Sequence, residues 1–320
     1  MRVITADEID RVLTYPALIE ALREGFRADI TVPVRHHHPI KQPGTEAMLL
    51  LMPAWSSGQG SFLGTKIVTV FPDNGKRSLP SIYGQYLLLD GSTGATLALL
   101  DGTMLTKRRT ACASGLASRY LSRPDAARLL MIGTGALAPH LIRVHAKVRP
   151  IQDVAIWGRR PEAAQRLAHE LSSSLPTTLG RTITVRAVAD RQQAVRDADV
   201  ISCATLSKAP LVEGAWLRAG QHIDLVGAFT PEMRESDDDA VRRAQVHVDT
   251  RAGATREAGD IVLPIRNGVI TAENIVADLF ELARGERPGR RSDDGHSITL
   301  FKSVGAALED LAAAELAVAD

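Results

Sequence analysis

The sequence predicts an α/β protein that combines a doubly wound parallel sheet with a second, α+β domain. Three observations support this fold class. From residue 127 onward, short apolar segments alternate with helical segments, which is the pattern of a parallel sheet. Before residue 101, apolar runs are instead separated by Gly, Pro and Asn. A chain of 320 residues is also long enough for two domains.

The first hundred residues predict one helix and an antiparallel sheet. Residues 7–26 carry apolar side chains at helical spacing and predict a single amphipathic helix. Breaker residues between the following apolar runs are typical of an antiparallel sheet. The predicted strands are 47–52, 66–71, 86–89 and 96–100. The Ala- and Ser-rich segment 106–121 predicts a helix that leads into the next domain.

The rest of the chain predicts six parallel strands and a returning helix. These strands are 129–132, 153–157, 183–188, 200–204, 222–226 and 246–249. Helices are expected over 136–147 and from Pro161 to Leu171, because proline suits the first helical position. The charged segment 284–296 predicts a surface loop, and 304–316 a terminal helix. We therefore predict a discontinuous domain of residues 1–115 and 297–320 and a parallel-sheet domain of residues 116–296.

Composition limits the classes of partner. Lys and Arg number 38 against 37 Asp and Glu, so no overall field favours nucleic acid or an anionic membrane. The two cysteines, Cys112 and Cys203, fit a reducing compartment. The first residues lack the apolar core of a signal peptide, and no apolar run approaches the ~18 residues of a membrane span. We expect a soluble cytoplasmic protein with no nucleic-acid or membrane partner.

A glycine turn follows the first strand of the parallel-sheet domain. The strand runs into Gly133 and Gly135, and a helix follows. Glycine allows the backbone to approach a pyrophosphate, and a helix N-terminus offers N–H donors to it. The Gly-x-Gly-x-x-Ala pattern is weak alone. Here a strand precedes it, a helix follows, and a second strand ends about twenty residues later. This context predicts a Rossmann-type dinucleotide-binding domain.

The second strand ends without the carboxylate that usually binds the adenosine ribose. Gly158 is followed by Arg159 and Arg160, which suit a 2′-phosphate. The pair favours NADP(H), with NAD(H) possible; a solvated loop pair is the alternative interpretation. Thr205, at the end of another strand, could face the nucleotide. A bound dinucleotide makes hydride transfer the leading chemistry.

Polar residues interrupt the apolar pattern of the N-terminal half at Arg35, Lys66, Ser81 and Arg109. A buried lysine is costly unless it is paired or functional, so Lys66 is a candidate site residue. Alternatively it lies on a wet sheet face. Arg109 is placed to reach a cleft from the helix leading into the next domain, or it is only a basic helix end.

Three consecutive histidines, His36, His37 and His38, do not predict a metal site. Neighbouring side chains of a strand point to opposite faces, so the three cannot converge on one ion. No Cys or carboxylate joins them at metal-site spacing. We therefore expect no metal ion.

The chain resembles the ornithine cyclodeaminase/mu-crystallin family over nearly its whole length. The order and spacing of the matching segments make the resemblance more specific than any one of them. The segments are Gly64–Lys66, Asp90–Gly94, Leu105–Ala111, the glycine turn, Val226–Glu235 and Phe301–Gly305.

The resemblance implies a homodimer whose N-terminal domain forms the dimer interface and holds substrate against a Rossmann domain. It implies that Arg35 and Arg109 bind the substrate carboxylate and that Lys66 lies beside the reacting nitrogen or carbonyl. Ser81 takes the position of a threonine in the cyclodeaminases. Residues implied to line the dinucleotide are Thr110, Gly133, Gly135, Ala136, Leu137, Arg159, Arg160, Thr205, Val226 and Ser303.

Two departures separate the chain from the cyclodeaminases themselves. Phe229 stands where those enzymes carry an aspartate that handles the amine, and Gly158 stands where they carry the acidic ribose ligand. Both favour the ketimine reductases of the family. The expected reaction is NAD(P)H-dependent reduction of 1-pyrroline-2-carboxylate or 1-piperideine-2-carboxylate to proline or pipecolate. Lys66, or a water held by it and Ser81, supplies the proton.

Other functions remain open at this point. Within the family they are a cyclodeaminase, an alanine dehydrogenase or an opine-type synthase. In another class, the chain is a non-catalytic protein that binds NADPH and a small molecule. Phe229 disfavours the cyclodeaminase, and the complete set of Lys66, Ser81 and Arg109 favours catalysis.

Overall fold

The computed structural model describes residues 1–42, 45–58 and 60–319 and divides into two units. One unit contains Met1–Thr110 with Ala306–Asp320, and the other contains Ala111–Gly305. In chain order the elements are β1 (Arg2–Ile4), α1 (Ala6–Val12), α2 (Tyr15–Arg27), β2 (Ile30–Thr31), β3 (His36–Gln42), β4 (Thr45–Ser56), β5 (Phe62–Val70), β6 (Ile82–Asp90), β7 (Thr96–Asp101), α3 (Gly102–Leu121), β8 (Arg128–Ile132), α4 (Ala138–Val148), β9 (Asp153–Trp157), α5 (Pro161–Leu179), β10 (Thr184–Ala187), α6 (Arg191–Asp197), β11 (Val200–Cys203), β12 (His222–Leu225), α7 (Asp238–Arg243), β13 (Ala244–Val248), α8 (Arg251–Glu257), α9 (Gly259–Arg266), β14 (Ile275–Asp278), α10 (Leu279–Arg284), β15 (Ile298–Lys302) and α11 (Ala307–Ala319). None of the helices in the described ranges is long and apolar enough to cross a membrane.

The predicted single N-terminal helix is wrong, because the segment forms two helices. Thr14 between them is extended, and Pro16 lies in the first turn of α2. Proline has no N–H to donate, so it is tolerated only where a helix begins. Thr5 caps α1 in a capping box with Glu8. The amphipathic pattern holds within α2, whose Leu18, Leu22 and neighbouring apolar side chains are buried.

The sheet of the first unit is antiparallel except for the parallel pairing of β1 with β7. Its order is β1-β7-β6-β5-β4-β2, and β3 pairs with β4. The strands are longer than the apolar runs that predicted them. Helix α11 packs against α2 and against β4, β5 and β6.

Strand β5 alternates between two environments. The side of Gly64 and Lys66 is buried, whereas Leu63 and Ile67 on the opposite side are exposed. Gly64 faces the ring of Tyr86 so closely that a Cβ there would lie 2.1 Å from the tyrosine hydroxyl. A side chain at position 64 would therefore displace Tyr86, which explains why this position near Lys66 is a glycine.

The second unit contains a parallel sheet of order β10-β9-β8-β11-β12-β15-β13-β14. Helices connect its strands, and the predicted doubly wound α/β class is confirmed. The six predicted strands are present with small shifts at their ends. β14 and β15 were not predicted.

The boundaries of the units differ from those drawn from the sequence. The sequence placed 297–320 in the first domain, but β15 pairs with β12 and β13 of the second unit. The loop 284–296, predicted as a surface loop, lies within the second unit, where Arg290 donates to the carbonyls of Leu121 and Ser297. At the other boundary, α3 runs without a break from one unit into the other.

Candidate nucleotide and substrate sites

The glycine turn after β8 has the geometry of a pyrophosphate site. Gly133 has φ 122°, and a Cβ there would lie 2.6 Å from the carbonyl oxygen of Ala204. Only glycine fits this position without moving the backbone. Gly135 is exposed with no atom near its missing side chain. Helix α4 then begins at Ala138, so its N-terminal N–H groups follow directly on the turn.

Several of the other predicted nucleotide residues follow strands of the same sheet. Because all its strands are parallel, their carboxyl ends lie at one edge, where open α/β sheets bind ligands. These residues are Arg159 and Arg160 after β9, Thr205 after β11, Val226 after β12 and Ser303 after β15. Both arginines are exposed, Thr205 is half-buried, and Val226 and Ser303 are buried. The edge can therefore present a pyrophosphate turn, cations and a hydroxyl to one dinucleotide.

Three further predicted nucleotide residues belong to helices. Ala136 is exposed and Leu137 is half-buried at the start of α4. Thr110 is buried in α3, at the end of the first unit. The nucleotide roles of all three stay predictions.

Lys66 and Arg109 lie in a buried cluster with two carboxylates of α11. The Nζ of Lys66 is 3.0 Å and 2.8 Å from the two carboxylate oxygens of Asp310. The Nε of Arg109 is 3.1 Å from Asp310 Oδ1, and its Nη1 is 2.7 Å from Glu309 Oε2. Lys66 is 2% exposed and Arg109 5%, and both acids are fully buried. The alternative of a wet sheet face for Lys66 is thereby excluded.

The environment of Lys66 lowers the pKa of its ammonium group toward neutral pH. Burial and the positive charge of Arg109 lower the pKa of Lys66 to about 8, although Asp310 acts in the opposite direction. An ammonium with this pKa is mostly protonated at pH 7 and releases its proton readily. That is the property required of a general acid.

Arg35 belongs to the same neighbourhood, whereas Ser81 does not. Arg35 is half-buried just before β3, and its charge contributes to the lowered pKa of Lys66. Ser81 is exposed and precedes Tyr86, the pairing partner of Lys66, by five positions. Five extended residues span about 17 Å. The structure thus joins Lys66 and Arg109 through Asp310, places Arg35 near enough for its charge to act on Lys66, and leaves Ser81 at the end of the strand.

Three acids of these sites were not identified from the sequence. Glu309 and Asp310 are adjacent carboxylates in a terminal helix that is apolar apart from these two residues and Glu315, and that contrast was a usable signal. Glu235 is fully buried near the nucleotide edge of the second unit. Its surroundings are formed by segments distant in sequence, so no local pattern indicated it.

The three histidines of β3 have no metal-binding geometry. The rings of His36 and His38 lie on one face with centroids 6.2 Å apart and nearly perpendicular planes. Among the described residues, no three His, Cys, Asp or Glu side chains are grouped to hold a metal ion.

Comparisons with known proteins place these features in a family of enzymes. Residues 2–319 match the model of the ornithine cyclodeaminase/mu-crystallin family. An uncharacterized protein of Schizosaccharomyces pombe is 46% identical, and the match covers 98% of this chain and 96% of that protein. A Delta(1)-pyrroline-2-carboxylate reductase of Colwellia psychrerythraea is 35% identical, with 99% and 98% covered.

A solved structure is similar over the same extent. The Delta(1)-pyrroline-2-carboxylate reductase of Thermococcus litoralis, in complex with NADH and L-proline, superposes with a TM-score of 0.89. It is 34% identical, and the match covers 99% of this chain and 96% of that one.

Proposed function

The chain belongs to the ornithine cyclodeaminase/mu-crystallin family, and on that premise we propose that it reduces cyclic ketimines with NAD(P)H. Its substrates are 1-pyrroline-2-carboxylate and 1-piperideine-2-carboxylate, and the products are proline and pipecolate. The observation that carries the proposal is the buried Lys66, held by Asp310 beside Arg109. The reductases named above, each similar over almost the full length, support the same reaction.

Arg35, Arg109 and Lys66 divide substrate binding and proton transfer between them. Arg35 and Arg109 hold the substrate carboxylate by charge-assisted hydrogen bonds, which fixes the orientation of the ring. The Lys66 ammonium, oriented by Asp310, donates a proton to the imine nitrogen and becomes a neutral amine. Ser81, which was predicted to share a water with Lys66, lies outside this cluster, and its role stays a prediction. A reduced nicotinamide, when bound, would supply the hydride that reduces C2 of the imine.

Phe229 supports reduction over cyclodeamination. It lies in the loop after β12 and is 42% exposed. Its ring can neither accept a proton nor orient an amine. The loop therefore lacks, at this position, the carboxylate that cyclodeamination uses.

The experiment that tests the function is a nicotinamide absorbance assay. Purified protein is mixed with NADPH or NADH and each cyclic imine, and cofactor oxidation is followed. Ornithine, and L-alanine with oxidised cofactor, are assayed in parallel. Cofactor oxidation that requires a cyclic imine supports the proposal. No oxidation with either imine, together with ammonia release from ornithine, would contradict it.

We propose that Arg159 and Arg160 bind the 2′-phosphate of NADPH. Replacing both with Ala should raise the KM for NADPH roughly tenfold to a hundredfold, because charge-assisted hydrogen bonds are lost. The KM for NADH should stay unchanged. Arg166→Ala, at an exposed arginine of α5, is the matched control. Equal effects on both cofactors would show that the pair does not contact the phosphate.

We also propose that the chain forms a homodimer through the outer face of the first unit's sheet. On this face Val3, Leu63 and Ile67 are exposed by 60%, 38% and 38%, and Tyr83 is exposed beside them. Exposed apolar patches of this kind mark protein interfaces. The partner proposed here is a second copy of the chain.

A charge at the centre of this face should dissociate the dimer. Ile67→Glu would bury an unpaired carboxylate in the interface, so sedimentation should show a monomer where the wild type is a dimer. Val276→Glu, at an exposed apolar residue of β14 in the second unit, is the control and should remain dimeric. An unchanged mass for Ile67→Glu would place the interface elsewhere.

A cytoplasmic location stays a proposal as well. Both cysteines are buried and none is bridged, which suits a reducing compartment. Fractionation of cells expressing the tagged full chain would test it.

A further inference from the structure

The buried carboxylate of Glu235 joins two turns of the nucleotide edge. Its Oε1 accepts hydrogen bonds from the backbone N–H of Thr205 at 2.7 Å and from the Thr205 hydroxyl at 2.8 Å. Its Oε2 accepts from the N–H of Gly227 at 2.8 Å. Thr205 follows β11 and Gly227 follows β12. One side chain therefore satisfies donors from both turns.

These turns are packed against each other and against the glycine turn. A Cβ at Gly227 would lie 2.0 Å from the carbonyl oxygen of Thr205. Ala204 directly precedes Thr205, and its carbonyl oxygen lies so close to Gly133 that only glycine fits there. A displacement of the β11 turn would thus reach Gly133, where the pyrophosphate is expected. Glu235, in the loop after β12, holds the β11 turn in place through its hydrogen bonds to Thr205.

Glu235 is itself held by charged groups from other elements. Asp260 on α9 accepts from the backbone N–H groups of Glu235 and Ser236 at 2.8 Å and 2.9 Å. Lys302 on β15 is 3.4 Å from the other oxygen of Asp260. All these side chains are buried. Such a network is costly to build, and its hydrogen bonds converge on the loop that carries Glu235.

We propose that Glu235 is a positioning residue for the dinucleotide, and that its ionised carboxylate holds the turns after β11 and β12 in their binding conformation. The inference rests on the proposed function, because it assumes that this edge binds NAD(P)H. It goes beyond that function by making cofactor affinity depend on the charge of one residue that does not touch the reacting atoms.

The charge of Glu235 changes near neutral pH. Burial raises its pKa to about 7; Lys302 acts to lower it and Asp260 to raise it. The buried thiol of Cys203 on β11 also interacts with Glu235; burial, and then the charges of Glu235, Asp260 and Asp224, raise its pKa well above the usual value. Three donors face the carboxylate, so a proton on either oxygen would oppose at least one of them. Cofactor affinity should therefore be full above pH 7 and fall as the pH decreases through that value.

The test measures dinucleotide binding rather than turnover. NADPH and NADH are titrated into the full chain between about pH 5.5 and about pH 8.5, around the raised pKa of a carboxyl group. NADH has no 2′-phosphate, so it shows whether a pH dependence comes from titration of that phosphate rather than of the protein. Wild-type Kd should rise as the pH falls below 7. Glu235→Gln presents an amide donor to one turn, so its Kd should be raised about tenfold at every pH, without the titration near pH 7.

The controls separate this inference from the proposed function. Glu232→Gln removes an exposed carboxyl from the same loop and should bind like the wild type. Equal affinity and pH dependence in Glu235→Gln and the wild type would overturn the positioning role. If the Glu235→Gln chain does not fold, a wild-type Kd that is flat across pH 7 overturns it equally. If the wild type binds neither dinucleotide, the proposed function is what fails.

Discussion

Replacing Lys66 with Met is expected to reduce ketimine turnover by about a thousandfold, within the range attributed to general acid catalysis. Met replaces the unbranched stem of the lysine side chain but has no proton to donate. The dinucleotide residues after the strands of the second unit are unaltered, so the Kd for NADPH should stay at the wild-type value. The comparison of kcat with cofactor Kd distinguishes loss of the acid from general damage to the fold.

The pH dependence of wild-type turnover provides an independent test of the role of Lys66 as proton donor. The pKa of Lys66 is lowered to about 8 by burial and by Arg109, and the protonated form is the active one. Hence, at saturating cofactor concentration, kcat/KM for the imine should be constant below pH 8 and fall above it. Lys41→Met removes an exposed lysine of β3 and should leave this profile unchanged. Turnover retained in Lys66→Met would remove Lys66 from the mechanism.

Local patterns predicted the parts of the molecule that local physics determines. The glycine turn was recognised because a strand, two glycines and a helix follow each other within a few residues. The conformation of Gly133 and its approach to Ala204 account for that pattern. The amphipathic spacing of α2 likewise follows from its single buried face.

Other features depend on segments that are distant in the chain. β15 is a short apolar run between β12 and β13, and nothing local to Ile298–Lys302 distinguishes it from the start of a terminal helix. The partner of Lys66 lies 244 residues away in α11. Burial of Lys66 was a reasonable expectation from strand alternation, but its ion pair required the tertiary fold. The break between α1 and α2 at Thr14 was missed although a local signal, Pro16, indicated it.

The second large effect is expected from Asp310→Asn. Asp310 accepts from both Lys66 and Arg109, and asparagine keeps one acceptor while turning an NH2 group toward the other cation. Removing one partner of a buried ion pair costs about 3–5 kcal/mol. Thermal unfolding should therefore shift to a clearly lower temperature. Double replacement with Lys66→Met removes the unpaired cation and should restore part of the loss.

Asp310→Asn should also change the pH profile of catalysis, which stability alone would not do. The negative charge of Asp310 raises the pKa of Lys66 against burial, so its removal lowers that pKa further. The decline in kcat/KM should then begin below pH 8, and turnover at pH 7 should fall. Glu309→Gln is the matched control: it removes the charge that pairs with Arg109 but leaves the contact between Asp310 and Lys66, so it should reduce stability and leave the profile of Lys66 in place. If both variants shift the profile equally, or neither does, Asp310 does not set the acidity of Lys66, and the proton donor must be sought elsewhere.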